Sequence, residues 1–183
     1  MVSRVIPVDA FDLVIFGGTG DLARRKILPG LYRRLAAGQI PPEARIIGAA
    51  RSDMDDAAYR EMVSDALVDF LPKGELNDET RAQFLSLLSY VTIDAKGTDG
   101  WAELAGHMRD GVVSAFYFSV APSLFGDLAQ RLHEHGVADE GSRVVVEKPF
   151  GHDRASAKAL NRDLAQHFDE TQIYRIDHYL GKE

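Results

Sequence analysis

The chain has 183 residues, the size of one domain, and its 45% hydrophobic and 27% charged residues suit an ordinary globular fold. Asp and Glu outnumber Lys and Arg by 28 to 21, a formal net charge of −7, which argues against sequence-independent binding to nucleic acid, an interaction built on clustered cations. There is no Cys, so disulfides, thiolate metal sites and thiol nucleophiles are excluded, and no metal site is expected.

The run Phe11–Phe16 is continuously apolar apart from Asp12 and is followed by glycines, which predicts a first strand buried on both faces of a parallel sheet. Leu28, Leu31, Tyr32 and Leu35 then recur at helical spacing, Pro29 is expected to bend that helix, and Gly38, Pro41 and Pro42 end it. A second strand is predicted at Arg45–Ala50. Tyr59, Met62, Val63, Ala66, Leu67 and Phe70 mark one face of the next helix. A short helix near 79–88, a strand at 90–93, a helix carrying Trp101, Leu104, Ala105 and Met108, and a strand at 112–120 follow. Ser123 is a candidate cap for a helix presenting Phe125, Leu128 and Leu132; Arg143–Glu147 forms a fifth strand, Asp153 a cap for the last helix, and Ile173–Ile176 a sixth strand. Six strands interleaved with helices imply right-handed crossovers and an α/β, Rossmann-like, doubly wound, mostly parallel sheet, with binding chemistry outside the C-terminal strand ends. The apolar runs fall far short of the ~20 residues that cross a bilayer as a helix. Pro7, Asp9 and Asp12 also break the N-terminal stretch, so no membrane association is expected and a cytoplasmic location is.

Between the first strand and first helix stands Gly17-Gly18-Thr19-Gly20-Asp21-Leu22-Ala23, a GxGxxA turn made by Gly18, Gly20 and Ala23. Glycines there let the backbone approach a pyrophosphate, small Ala23 lets helix and strand pack closely, and helix N-terminal amides face the phosphates. A glycine-rich turn also joins elements without binding anything; the buried strand before it gives the binding reading its weight. A dinucleotide site selects its cofactor at the end of the second strand, where NAD calls for an acidic residue about 20 positions past the motif. Here that strand runs into Arg51, 33 positions past Gly18. A guanidinium makes forked, charge-assisted bonds to a 2′-phosphate, which favours NADP; Asp53 beside it keeps NAD possible.

Two further strand ends carry unusual motifs, Glu147-Lys148-Pro149-Phe150-Gly151 and Arg175-Ile176-Asp177-His178-Tyr179-Leu180-Gly181-Lys182-Glu183. With GGTGDLARRK and AARS, in this order and across nearly the whole chain, they resemble the coenzyme-binding part of the glucose-6-phosphate dehydrogenase family. The resemblance implies that Gly17, Gly18, Thr19, Gly20, Asp21, Leu22 and Arg51 bind NADP, with Asp94 and Tyr117 flanking it. It implies that Lys148 reaches both nicotinamide and sugar, and that His178, Tyr179 and Lys182 hold the phosphate of glucose 6-phosphate. It further implies that Asp177 orients a catalytic His. The chemistry is compatible with these roles: an ammonium at Lys148 can stabilise negative charge developing on the sugar C1 oxygen as hydride leaves. His178 and Lys182 are four apart, so one helical turn places both on one face toward a dianion.

In that family the proton-abstracting His, further substrate contacts and the subunit interface lie on a C-terminal α+β domain. The expected organisation is therefore a dinucleotide-binding domain over 1–183 without that second domain. The parent is expected to be a homo-oligomeric, NADP-dependent sugar-phosphate oxidoreductase, and this chain alone to bind coenzyme with little turnover. Two rivals stay open: another Rossmann sugar oxidoreductase carrying an EKP motif, and a non-catalytic nucleotide-binding module.

Overall fold

A computed structural model describes residues 9–147 and 154–176. Six strands form one sheet in the order β3-β2-β1-β4-β5-β6, every adjacent pair parallel. They are β1 (Phe11–Phe16), β2 (Arg45–Ala50), β3 (Leu88–Thr92), β4 (Val113–Phe118), β5 (Arg143–Glu147) and β6 (Ile173–Ile176). This is the doubly wound order that puts a topological switch point between β1 and β4, the two strands whose outgoing connections leave in opposite directions.

Helices α1 (Leu28–Ala36), α2 (Asp56–Phe70), α3 (Asp78–Ser86), α4 (Trp101–His107), α5 (Phe125–Glu134) and α6 (Arg154–Ala165) fill the crossovers. Alternation along β1 divides the core into two layers. Val14 and Phe16 pack with Trp101, Phe118, Phe125 and Leu128 on the α4–α6 side; Leu13 and Ile15 pack with Leu28, Tyr32, Tyr59 and Phe84 on the α1–α3 side. Because β1 has helices on both sides, its residues are buried from Asp12 through Phe16.

Three local expectations are corrected. Pro29 does not bend a helix from within but sits in its first turn. Ahead of it, Ala23–Ile27 forms a wide turn in which the Leu28 N–H bonds the Ala23 carbonyl. That i→i−5 turn accommodates the ring where a regular helix would drive it into the carbonyl of Arg25. Ser123 makes no cap bond: the short 3₁₀ turn Pro122–Leu124 winds straight into α5. The Leu124 N–H already bonds the Ala121 carbonyl at 2.9 Å, leaving fewer unpaired amides for a hydroxyl to serve. The strand expected over 112–120 is the shorter Val113–Phe118, since Ser119 and Val120 already belong to the loop leaving the sheet. The Asp153 cap lies outside the described residues.

The N-terminal ends of the strands are closed by one ion pair. Asp12 is fully buried, and its carboxylate takes the Arg109 guanidinium at 2.7 and 3.0 Å and the Arg109 backbone N–H at 2.9 Å. The Arg109 Nη2 that bonds Asp12 also reaches the carbonyls of Glu43 at 2.9 Å and Phe11 at 3.3 Å. Removing one partner strands the other's charge, so Asp12→Ala should lower the unfolding free energy by about 3 kcal/mol. Urea denaturation checks this, and a loss below about 1 kcal/mol, the worth of an exposed pair, would show the carboxylate to be dispensable.

Candidate dinucleotide-binding site

The turn after β1 is built where little else fits. Gly17 adopts φ +80°, and a β-carbon on it would stand 2.0 Å from the Ser119 carbonyl oxygen. A β-carbon on Gly18 would stand 2.9 Å from the Tyr59 hydroxyl and 3.0 Å from the Gly48 Cα. Its neighbours on both sides hold it: the Gly17 N–H bonds the Ala49 carbonyl of β2 at 2.8 Å, and the Ser119 N–H after β4 bonds the Phe16 carbonyl at 2.9 Å. Ala23 is completely buried, as close helix–strand packing requires. The expected turn is therefore present at the switch point.

Two cavities flank it. One, of about 240 Å³, has an apolar floor that includes Phe16, Ala49, Ile93 and Leu128, with Gly17 and Thr19 on one side and Arg51 and Ser52 on the other. Its floor suits a flat aromatic ring, and Arg51 brings a cation to its wall. Arg51 is exposed, and no salt bridge among the described residues engages it. The second cavity, of about 400 Å³, lies toward β5 and is lined by Leu22, Phe118, Ser119, Pro122, Phe125 and Glu147. Together they span the crevice on both sides of the switch point.

The structure thus brings Gly17, Thr19 and Arg51 together around one cavity and puts Leu22 on the other. Asp21 stands at the start of the first helix but turns its carboxylate outward to Arg25 at 2.7 Å. Asp94 follows β3 between Ile93 and Ala95, which both line the first cavity. Its own carboxylate folds back onto the Lys96 N–H at 3.0 Å, and its carbonyl holds the Trp101 indole N–H at 2.9 Å, so its visible contacts build the loop. Tyr117, near the end of β4, donates its hydroxyl to the Glu147 carboxylate. Burial, then the hydrogen bond and charge of Glu147, push its ionisation well above that of a free phenol. Lys148, Asp177, His178, Tyr179 and Lys182 lie outside the described residues.

The sequence reading passed over Gly48, Tyr59 and Tyr90 as contributors to the site. Gly48 carried a signal, since a glycine inside a buried strand marks a close approach. A β-carbon there would stand 2.3 Å from the Tyr59 ring. Tyr59 and Tyr90 carried none beyond apolar periodicity, because their hydroxyl partners belong to distant segments.

Residues 14–183 match the family described as "Glucose-6-phosphate dehydrogenase, NAD binding domain". The glucose-6-phosphate 1-dehydrogenase of Rhizobium meliloti is 47% identical over 185 residues, covering 100% of this chain and 38% of that protein. The protein of that name from Gluconobacter oxydans is 47% identical over 180 residues, covering 96% and 37%. Among solved structures, a glucose-6-phosphate dehydrogenase in complex with its substrate glucose-6-phosphate superposes with a TM-score of 0.84 at 36% identity, covering 100% of this chain and 39% of that one. The glucose-6-phosphate 1-dehydrogenase of Mycobacterium avium gives 0.86 at 35% identity, covering 94% and 37%. The chain therefore spans less than two fifths of the length of these relatives.

Gly17→Ala should meet both the positive φ and the Ser119 carbonyl, and so cost about 1–3 kcal/mol of stability. Thermal and urea unfolding measure it, and a variant as stable as the parent would show that the turn can open without cost.

Proposed function

The chain belongs to the glucose-6-phosphate dehydrogenase family, and from that premise we propose that it is the NADP-binding domain of an enzyme that oxidises D-glucose 6-phosphate to 6-phospho-D-glucono-1,5-lactone. The observation that carries this reading is the cavity at the switch point, with the glycine turn on one side and Arg51 on the other. In the proposal the adenine lies on its apolar floor. The Thr19 amide and the start of the first helix face the pyrophosphate, while Gly18 and Gly20, whose amides bond the Ala49 and Gly17 carbonyls, shape the turn that lets it approach. Arg51 forks onto the 2′-phosphate, and the cavity toward Glu147 leads to the nicotinamide. Tyr117 and Asp94 border the coenzyme, Tyr117 through its bond to Glu147, the residue directly before Lys148.

The bound nicotinamide ring supplies the hydride acceptor. Lys148 hydrogen-bonds the C1 oxygen of the sugar and stabilises the charge that grows there. His178, Tyr179 and Lys182 hold the sugar phosphate, which sets the distance of C1 from the nicotinamide. Asp177 orients a His that removes the C1 hydroxyl proton, and that His belongs to an α+β domain beyond this chain, which also joins the subunits. The domain over 1–183 is accordingly a coenzyme-binding unit.

Calorimetric titration of the chain with NADP and with NAD tests the reading. Saturable NADP binding, tighter than NAD, is expected; binding of neither overturns it. Arg51→Ala should weaken NADP by about tenfold or more, the worth of a charge-assisted pair, and leave NAD nearly unchanged; equal losses would remove Arg51 from the 2′-phosphate. In a protein of the relatives' full length, Lys182→Ala should raise the KM for glucose 6-phosphate by about tenfold or more, with a smaller change in KM for NADP. An unchanged sugar-phosphate KM would take Lys182 out of the site.

A further inference from the structure

Two tyrosines outside the crevice touch the backbone of both loops that border it. Tyr59, on α2 and completely buried, donates its hydroxyl to the Gly18 carbonyl at 3.0 Å. Tyr90, on β3, places its hydroxyl 2.5 Å from the Ser52 carbonyl and 3.1 Å from that of Ala50, the residues on either side of Arg51. Thr92, two residues along the same strand, adds its hydroxyl to the Ser52 carbonyl at 3.2 Å. The two rings lie against each other with centroids 5.0 Å apart.

We infer that Tyr59 and Tyr90 are positioning residues for the coenzyme, Tyr59 fixing the glycine turn and Tyr90, with Thr92, fixing the loop that carries Arg51. This inference rests on the coenzyme reading above. Tyr59 belongs to the core layer on the α1–α3 side of the sheet, whereas the cavity has its floor in the opposite layer. In a trans peptide the C=O and N–H point in opposite directions. Turning the Gly18 carbonyl toward Tyr59 therefore turns the Thr19 N–H toward the cavity that Thr19 lines. A flipped peptide would present an oxygen to the pyrophosphate and leave the Tyr59 hydroxyl buried without its acceptor.

Geometry also makes this arrangement rigid. Gly48 leaves the space that the Tyr59 ring occupies. The Tyr90 backbone N–H is bonded at 2.8 Å to the Asp56 carboxylate in the first turn of α2, so the strand and helix that carry the two tyrosines are fixed to each other. Both phenols are pushed above their ordinary ionisation, chiefly by burial, and remain donors through the neutral range.

The test is calorimetric titration of three proteins with NADP and with NAD, at a temperature where circular dichroism shows each to be folded. They are the parent chain, Tyr59→Phe, and the double variant Tyr90→Phe with Thr92→Val. Each substitution keeps the packing volume and removes a hydroxyl. Tyr59→Phe should weaken both coenzymes alike, by about three- to tenfold, with the preference for NADP unchanged. The double variant should weaken NADP by about three- to tenfold and leave NAD within about twofold. A purely structural role predicts no such division between the ligands. Wild-type affinities in Tyr59→Phe, or equal losses of both coenzymes in the double variant, would overturn the inference while leaving the coenzyme reading intact. A parent chain that binds neither coenzyme would overturn both, since there would be nothing for the tyrosines to position.

Discussion

Steric exclusion at the end of β1 governs the arrangement of the crevice. The chain leaves the central strand and enters the first helix through a volume bounded by the Ser119 carbonyl, the Tyr59 hydroxyl and the Gly48 Cα, each 2.0–3.0 Å from where a β-carbon would lie on Gly17 or Gly18. Backbone alone fits, and with no side chain in the way an anion can come close to the Thr19 amide and the start of the first helix. The same crowding sets the level of the neighbouring strands, because Ala49 on β2 and Ser119 beyond β4 bond directly to the turn and to the last residue of β1. The loops carrying Arg51 and Val120 consequently stand on either side of one opening.

Support for that opening is divided between the two faces of the sheet. The α4–α6 face supplies its apolar floor, through Phe16, Ile93 and Leu128. The α1–α3 face contributes Leu22 and Ala50 to the lining, and its Tyr59 and Tyr90 reach through the strand ends to backbone carbonyls. One layer thus shapes the cavity, and the other sets the orientation of the peptides at its rim.

Much of this was legible in the sequence. The strands Phe11–Phe16, Arg45–Ala50, Arg143–Glu147 and Ile173–Ile176 appear with the expected bounds, because a strand buried on both faces reads as a short apolar run between turn residues. The turn was legible because only glycine meets its steric demand. What stayed hidden is either a local adjustment of the backbone or a contact across the chain. The wide turn before Pro29 is a backbone response to a ring clash, and the capping of α5 by a 3₁₀ turn displaced a hydroxyl that local pattern alone favoured. The carboxylate of Asp94 could be placed at a strand end but not aimed, and it turns into its own loop. Tyr59 looked like any apolar residue at helical spacing because its acceptor lies 41 residues away.

The buried Asp12–Arg109 pair joins residues 97 positions apart, and this bears on how the chain matures on the ribosome. β1 is made first, yet it occupies the middle of the sheet with β4 as its second neighbour. Until Arg109 and β4 have left the exit tunnel, a nascent β1–β2–β3 unit has one bare edge at its central strand and a carboxylate at residue 12 with no cation to meet it. The central strand of the sheet is therefore completed only by residues made about a hundred positions after it, and its pairing on that side is long-range by construction.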